Sequence, residues 1–319
     1  MAEATSFKST DGYPLAATIY EPEQEATCGI LITTGTGFPQ RLYAKMATWL
    51  ATKGALVMTF DYRGIGGSRP EDLAALEMAY ADWGRKDQEA AGQHLKSLCP
   101  DLPLYHVAHS VGGLHFGFCE SFDLFDRHAF LSVGVGSVVT HKLWFVPVAL
   151  TLWYVVGPWH LWRQGYVAKG RWWTGEDLPR GVYRDWRRWC HQRSYMDKEL
   201  EGPLRPHWYD QVEAPIQSWA FTDDPIATPE ASRRTLAMYP KSDSGLIVCK
   251  PKDISAKSIG HSGAFSSKAV GLWPEVWEWL EKGRRPQSSR PGEGERLEKE
   301  RMDEALAKIE RIEREARII

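Results

Sequence analysis

Apolar runs of strand length alternate with helix-period stretches over most of the chain. Residues 4–20 read as two short strands around Asp11-Gly12, a hairpin turn signal. Cys28–Thr33 is an apolar run that ends at Gly35-Thr36-Gly37. Arg41–Lys53 reads as a helix with Leu42, Met46, Trp49 and Leu50 on one face. Ala55–Phe60 is the next apolar run. Ala79–Leu98 has helical character, Leu104–Ala108 is a short strand, Ser110–Cys119 looks helical, and Ala129–Val135 is another strand. The rhythm resumes at Ile216–Phe221, with a helix near Pro229–Met238, a strand at Leu246–Cys249 and a last helix around Leu272–Leu280. Short apolar strands separated by helices imply an α/β fold, a mostly parallel sheet with helices on both faces.

The pattern breaks over residues 138–205, which read as an insertion. Leu143–Gly157 is apolar but shorter than a normal membrane span, and Pro147 interrupts it. Trp and Arg crowd the stretch that follows, at Trp172-Trp173 and Asp185-Trp186-Arg187-Arg188-Trp189. The α/β core is therefore expected over 1–137 and 206–282. Residues 283–294 have the Gly, Pro, Ser and Arg content of a linker. Residues 295–319 carry Met302, Ala305, Ile309, Ile312, Ala316 and Ile319 at alternating spacings of three and four. The stripe covers under three heptads, which argues against a stable isolated coiled coil. A solvated helix packed on the body and a homodimerisation helix both remain open.

Composition narrows the picture little. A net charge of −2 over 319 residues gives no basic field for nucleic acid. Five scattered cysteines, never in a C-x-x-C pair, argue against a disulfide framework and a zinc site and suit a reducing cytoplasm. The start of the chain shows no signal-peptide pattern. The 15 Trp are the unusual count, and most lie between Trp144 and Trp219.

Chemistry concentrates at Leu104–Gly113, where a strand runs into Ala108-His109-Ser110-Val111-Gly112. This is the context of a nucleophile elbow, a turn so tight that the residues two before and two after the nucleophile must be small. A plain Ser-Gly turn is the competing reading. Among ten histidines His261 is best placed as the base, in a Gly-flanked loop after the last strand. His109 would point away from Ser110, and His106 and His115 suit packing. His141, His160, His191 and His207 belong to the insertion and could at most line a pocket. An acid is expected after Ile216–Phe221, where Asp223-Asp224-Pro225 offers two. Asp224 fits the turn better, with Asp223 as rival or turn cap. Backbone N–H groups of Val111 and Thr36 occupy the positions of an oxyanion hole. No metal-ligand cluster or cofactor motif is visible, and Gly64-Ile65-Gly66-Gly67 lacks the rest of a phosphate loop.

These segments, with Phe60-Asp-Tyr-Arg-Gly-Ile-Gly-Gly-Ser68 and Gly260-His261, fall in the order seen in the α/β-hydrolases. The chain resembles their serine-aminopeptidase and monoglyceride-lipase-like branch. More narrowly it is similar to a bacterial group of α/β hydrolases of unsettled substrate, through Leu178-Pro-x-Gly-Val-Tyr-x-x-Trp-x-x-Trp189 and Leu272-Trp-Pro-Glu275. The resemblance covers residues 5–282. Ala108 replaces the first elbow glycine, and Thr34 replaces the usual histidine of the oxyanion loop. The resemblance implies a helical, Trp-rich cap over the sheet edge, residues 138–205, whose aromatics line an apolar acyl pocket or pack on one another. Contact of Leu143–Trp162 with a membrane is a third reading, weakened by the absence of a clear amphipathic moment.

The expected function is a cofactor-independent, carboxylesterase- or lipase-like serine hydrolase acting on a small apolar acyl substrate. Thioesterase, amidase or acyltransferase chemistry would use the same residues, and a non-catalytic binding module on the same fold is the rival class.

Overall fold

Eight strands form one sheet in the order β1-β2-β4-β3-β5-β6-β7-β8 in this computed structural model, which describes residues 2–170 and 175–285. The strands are β1 Ala2–Lys8, β2 Pro14–Tyr20, β3 Cys28–Thr33, β4 Ala55–Phe60, β5 Leu104–His109, β6 Arg127–Leu131, β7 Ile216–Phe221 and β8 Ser244–Cys249. The β1–β2 hairpin is antiparallel and joins antiparallel to β4, and β4 through β8 run parallel. The hairpin turns at Gly12, at φ +85°.

Alternation along the parallel strands divides the core into two layers. Ile30, Ile32, Val57, Val107 and Ala129 face one side, where α1 Ala44–Ala51 and α9 Trp273–Lys282 cover them with Met46, Leu50, Val276 and Leu280. Leu31, Met58, Ala108 and Phe130 face the other side, against Ala90, Ala91 and Leu95 of α2 Glu89–Leu98. Both faces of the strands are buried, which is why they read as near-continuous apolar runs.

Three expected elements differ. The helix expected at Arg41 opens as a 3-10 turn, Gln40–Tyr43, which turns Tyr43 inward and leaves Leu42 44 % exposed. The strand expected over Ala129–Val135 ends at Leu131, because Ser132 takes φ +53° and turns the chain. The helix expected over Ser110–Cys119 is a single turn, α3 Val111–Leu114. Tyr239 breaks it: its hydroxyl accepts from Gly117 N–H at 3.1 Å and donates to the Gly113 carbonyl at 2.7 Å, so one inserted oxygen bridges a helical hydrogen bond. Gln88 Nε2 and Tyr209 Oη take the Gly112 and Leu114 carbonyls. The elbow therefore rests on a buried side-chain scaffold and not on a long helix.

Between β6 and β7 the chain leaves the strand–helix rhythm for α4 Val146–Thr151, α5 Gly157–Gln164, α6 Arg180–Cys190 and α7 Asp197–Leu200. A π turn, Leu152–Val156, joins α4 to α5. Trp153 and Trp189 are buried there, whereas Trp144, Trp159 and Trp162 are exposed. Trp172, Trp173, the linker beyond 285 and the charged tail lie outside the described residues. No described helix is long and apolar enough to cross a membrane. All five cysteines are buried and free.

Candidate active site

Order in this sheet reverses at β3: β4 pairs on one side and β5 on the other. A crevice opens beyond the carboxyl ends of strands at such a switch point. Ser110 follows β5 and Gly35-Thr36 follow β3, so both flank it. Asp224 follows β7 and His261 follows β8, at the same edge.

Ser110 sits at φ 51°, ψ −117°, a conformation that side-chain-bearing residues rarely adopt. Close packing holds it there. A Cβ on Gly112 would lie 2.3 Å from Thr33 Oγ1, and one on Gly113 would lie 2.8 Å from Val133. The methyl group of Ala108 fits at the first small position because residue 113 is glycine; a Cβ there would approach it to 3.2 Å.

The structure brings the three residues named from the sequence together. His261 Nε2 lies 3.0 Å from Ser110 Oγ, and His261 Nδ1 lies 2.8 Å from Asp224 Oδ2. Asp224 is fully buried, and its other oxygen accepts from Ile226 N–H at 2.8 Å and Ala227 N–H at 3.0 Å. Burial alone would raise its pKa. The facing imidazole and the two N–H groups outweigh that and hold the carboxyl below its ordinary value. An ionised Asp224 accepts only, so Nδ1 carries the proton and Nε2 is left to accept from Ser110. Asp223, the rival acid, instead accepts from Ile259 N–H at 2.8 Å and tethers the loop that carries His261.

The expected oxyanion donors lie at the same place. Thr36 and Val111 line one cavity with Ser110 and His261. Val111 is the first residue of α3, so its N–H has no helical partner. Thr36 is held by a hydrogen bond between its hydroxyl and that of Tyr80. Thr34, the departure from the family pattern, is buried with its hydroxyl unpaired.

Residues 24–116 match the family model described as serine aminopeptidase, S33. No curated protein matches the chain in sequence. Among solved structures, a soluble variant of the Saccharomyces cerevisiae monoglyceride lipase in complex with a substrate analogue is 14 % identical. It has a TM-score of 0.62 over 89 % of this chain and 96 % of that one. A thermostable carboxyl esterase from Bacillus coagulans is 15 % identical, with a TM-score of 0.55 over 78 % and 90 %. The thioesterase domain of the curacin biosynthetic pathway is 13 % identical, with a TM-score of 0.53 over 86 % and 98 %. The chain has the α/β-hydrolase fold, and residues 24–116 are similar to the serine aminopeptidase family. At these identities the likeness to the solved structures is one of fold.

In this fold the cavity beside Ser110 encloses about 340 Å³. The segment between β6 and β7 supplies much of its wall, including Phe145, Val148, Leu152 and Trp153, with Phe38 and Ile226 from the core. His141 lines it too; His160, His191 and His207 do not.

His109 has a part that its neighbour position to Ser110 concealed. It does point away from Ser110. Its Nε2 faces the His261 carbonyl at 2.8 Å, and a carbonyl only accepts, so Nε2 carries the proton. Nδ1 then accepts from Tyr43 Oη at 2.6 Å, and Tyr43 Oη accepts from Gly35 N–H at 2.8 Å. This relay joins the oxyanion loop to the His261 loop. Burial, then the nearby His261, pushes the His109 pKa down to about 3, so the relay stays neutral. Gly35 is required beside it, since a Cβ there would meet the His109 ring at 2.6 Å. A sequence signal existed in Tyr43 and Gly35, but no local spacing links them to position 109.

The Asp61–Ser68 motif braces the frame. Arg63 reaches Asp87 at 2.6 Å and Asp11 at 2.8 Å, tying the loop after β4 to the hairpin and to the helical turn before α2. Gly67 N–H donates to Asp61 at 2.9 Å, so a carboxylate already occupies the anion position that a phosphate loop would offer. No group of His, Cys, Asp and Glu among the described residues is arranged to hold a metal.

Proposed function

We propose that the chain is a serine hydrolase that cleaves a carboxylic ester or a related acyl bond. The observation that carries this is the hydrogen-bonded line Ser110–His261–Asp224 at the wall of a mostly apolar cavity. Ser110 Oγ attacks the carbonyl carbon as His261 Nε2 takes its proton. The negative oxygen is met by the N–H groups of Thr36 and Val111, an arrangement worth roughly 10²–10³ in rate per donor. The imidazolium is stabilised by Asp224 and returns the proton to the leaving group. Water, activated by His261, then attacks the acyl-enzyme and restores Ser110.

Aliphatic and aromatic side chains around the cavity favour an apolar acyl or alkyl group. The proposed cap is residues 138–205, which supply much of that wall. The named activities of the neighbours, ester and monoglyceride cleavage and thioester cleavage, fit the same residues. Acyl transfer would replace water with an alcohol and change nothing in the first half-reaction. The chemistry needs no cofactor. A cytoplasmic location and a homodimer through residues 295–319 belong to the same proposal. Titration with a fluorophosphonate, with Ser110→Ala as control, tests it. Labelling confined to the protein with Ser110 supports the reading, and failure of the folded wild type to label overturns it.

A further inference from the structure

The cavity beside Ser110 holds one polar side chain that the proposed reaction does not use. His141 is 4 % exposed and lines the cavity, and neither ring nitrogen has a hydrogen-bond partner. A buried, unsatisfied imidazole is costly, and one that lines a cavity can be completed by a ligand there. Its surroundings do not supply that completion. Phe145 meets the ring edge-on at 5.7 Å, and the remaining wall is largely aliphatic and aromatic.

The turn that carries His141 is fixed. Lys142 N–H donates to the Pro225 carbonyl at 3.0 Å, Lys142 Nζ donates to the Thr222 carbonyl, and Thr228 Oγ1 donates to the Thr140 carbonyl at 2.8 Å. These bonds pin the His141 turn to the turn that carries Asp224, so the ring cannot swing out to water at low cost. His141 shares the cavity wall with Ser110 and His261. Burial holds its pKa down at about 4, so near neutrality it is an uncharged imidazole, able to donate from one nitrogen and accept at the other. Trp153, a residue 1 % exposed whose indole N–H has no acceptor, also contributes to the wall.

Resting on the hydrolase reading above, we infer that His141 is a substrate-binding residue, and that the preferred substrate is an ester bearing a second oxygen group, a hydroxyl, ether or keto oxygen, close to the scissile carbonyl. The apolar walls take the chain, and His141 takes the added oxygen. A plain alkyl ester leaves His141 unpaired, and a site built this way discriminates against the analogue that lacks the polar group.

Inactivation of Ser110 by matched fluorophosphonates tests this without knowledge of the natural substrate. Three probes are compared: a plain alkyl reagent, one with a hydroxyl on the chain that mimics the acyl group, and one with a hydroxyl on the alkoxy group that mimics the alcohol. One hydroxylated probe is expected to inactivate the full chain at least about tenfold faster than the plain one. The gain should come from tighter initial binding and not from a faster chemical step, and which probe gains tells acyl side from alcohol side. His141→Leu should erase the ratio, and His141→Gln, which keeps a donor and an acceptor, should retain most of it; thermal melts check that both are folded. Equal rates for all three probes, or a ratio that survives His141→Leu, overturn the inference alone. Absence of labelling by every probe overturns the hydrolase reading as well.

Discussion

Acidification is the perturbation to which this core is most exposed, because five histidines are buried in it: His106, His109, His115, His128 and His141. Burial pushes the pKa down to about 3 for His109, His115 and His128, to about 4 for His141, and well below the ordinary value for His106. In the unfolded chain each titrates near the ordinary value of about 6.5. Between that value and the folded values the unfolded state binds more protons, so stability falls as pH falls. Each group contributes about 1.4 kcal/mol of loss per pH unit, and five contribute about 7 kcal/mol per unit. A domain has about 5–15 kcal/mol in total. The acid transition is therefore expected about one to two units below 6.5, close to pH 5. Urea unfolding followed by tryptophan fluorescence at a series of pH values between 7 and 5 measures the slope directly. His115 offers the internal control, since both of its ring nitrogens are unpaired and it packs against Tyr80, Phe118 and Trp189. His115→Leu should lower the slope by about a fifth. A urea midpoint unchanged between pH 7 and pH 5 would mean that these histidines are not held neutral by burial.

The remaining predictions concern the site and its scaffold. Asp224→Asn should cut kcat by about 10⁴ through loss of the charge that fixes and stabilises the His261 imidazolium, whereas Asp223→Asn should cost far less; kinetics on a common ester compare them, and the opposite order would make Asp223 the acid. Tyr239→Phe removes the oxygen bridging Gly113 and Gly117 and leaves two backbone groups unpaired, so thermal unfolding should show a loss of about 1–3 kcal/mol. Gly112→Ala should abolish activity, because the added Cβ would drive into Thr33 and displace Ser110 from its turn; wild-type turnover in a folded Gly112→Ala protein would contradict this.

Much of the fold was legible because the parallel strands are buried on both faces. β3, β4 and β7 stand on the residues that the apolar runs marked. The convergence of Ser110, Asp224 and His261 was legible because each follows a strand at the same sheet edge, where strand order alone brings them near one another. What stayed hidden depends on partners distant in sequence. The one-turn α3 is broken by Tyr239, more than a hundred residues away, and no propensity at Ser110–Cys119 announces it. The inward turn of Tyr43 and the neutral relay through His109 have the same origin. In the segment between β6 and β7 the sequence supplied the Trp-rich composition but not directions. Trp153 is buried, whereas Trp144, Tyr154, Val155 and Trp162 are exposed. His141 was placed no more closely than at a pocket wall, because its isolation follows from the Phe145 ring and the aliphatic walls and not from its neighbours in sequence.

The proposed chemistry turns on Ser110 as a nucleophile activated by His261. Intact-protein mass spectrometry after exposure to a fluorophosphonate, followed by peptide mapping, tests it most directly. A single adduct is expected on Ser110, one that disappears in Ser110→Ala and forms much more slowly in His261→Ala. A folded wild-type protein that stays unmodified, or an adduct that maps elsewhere and survives Ser110→Ala, would contradict it.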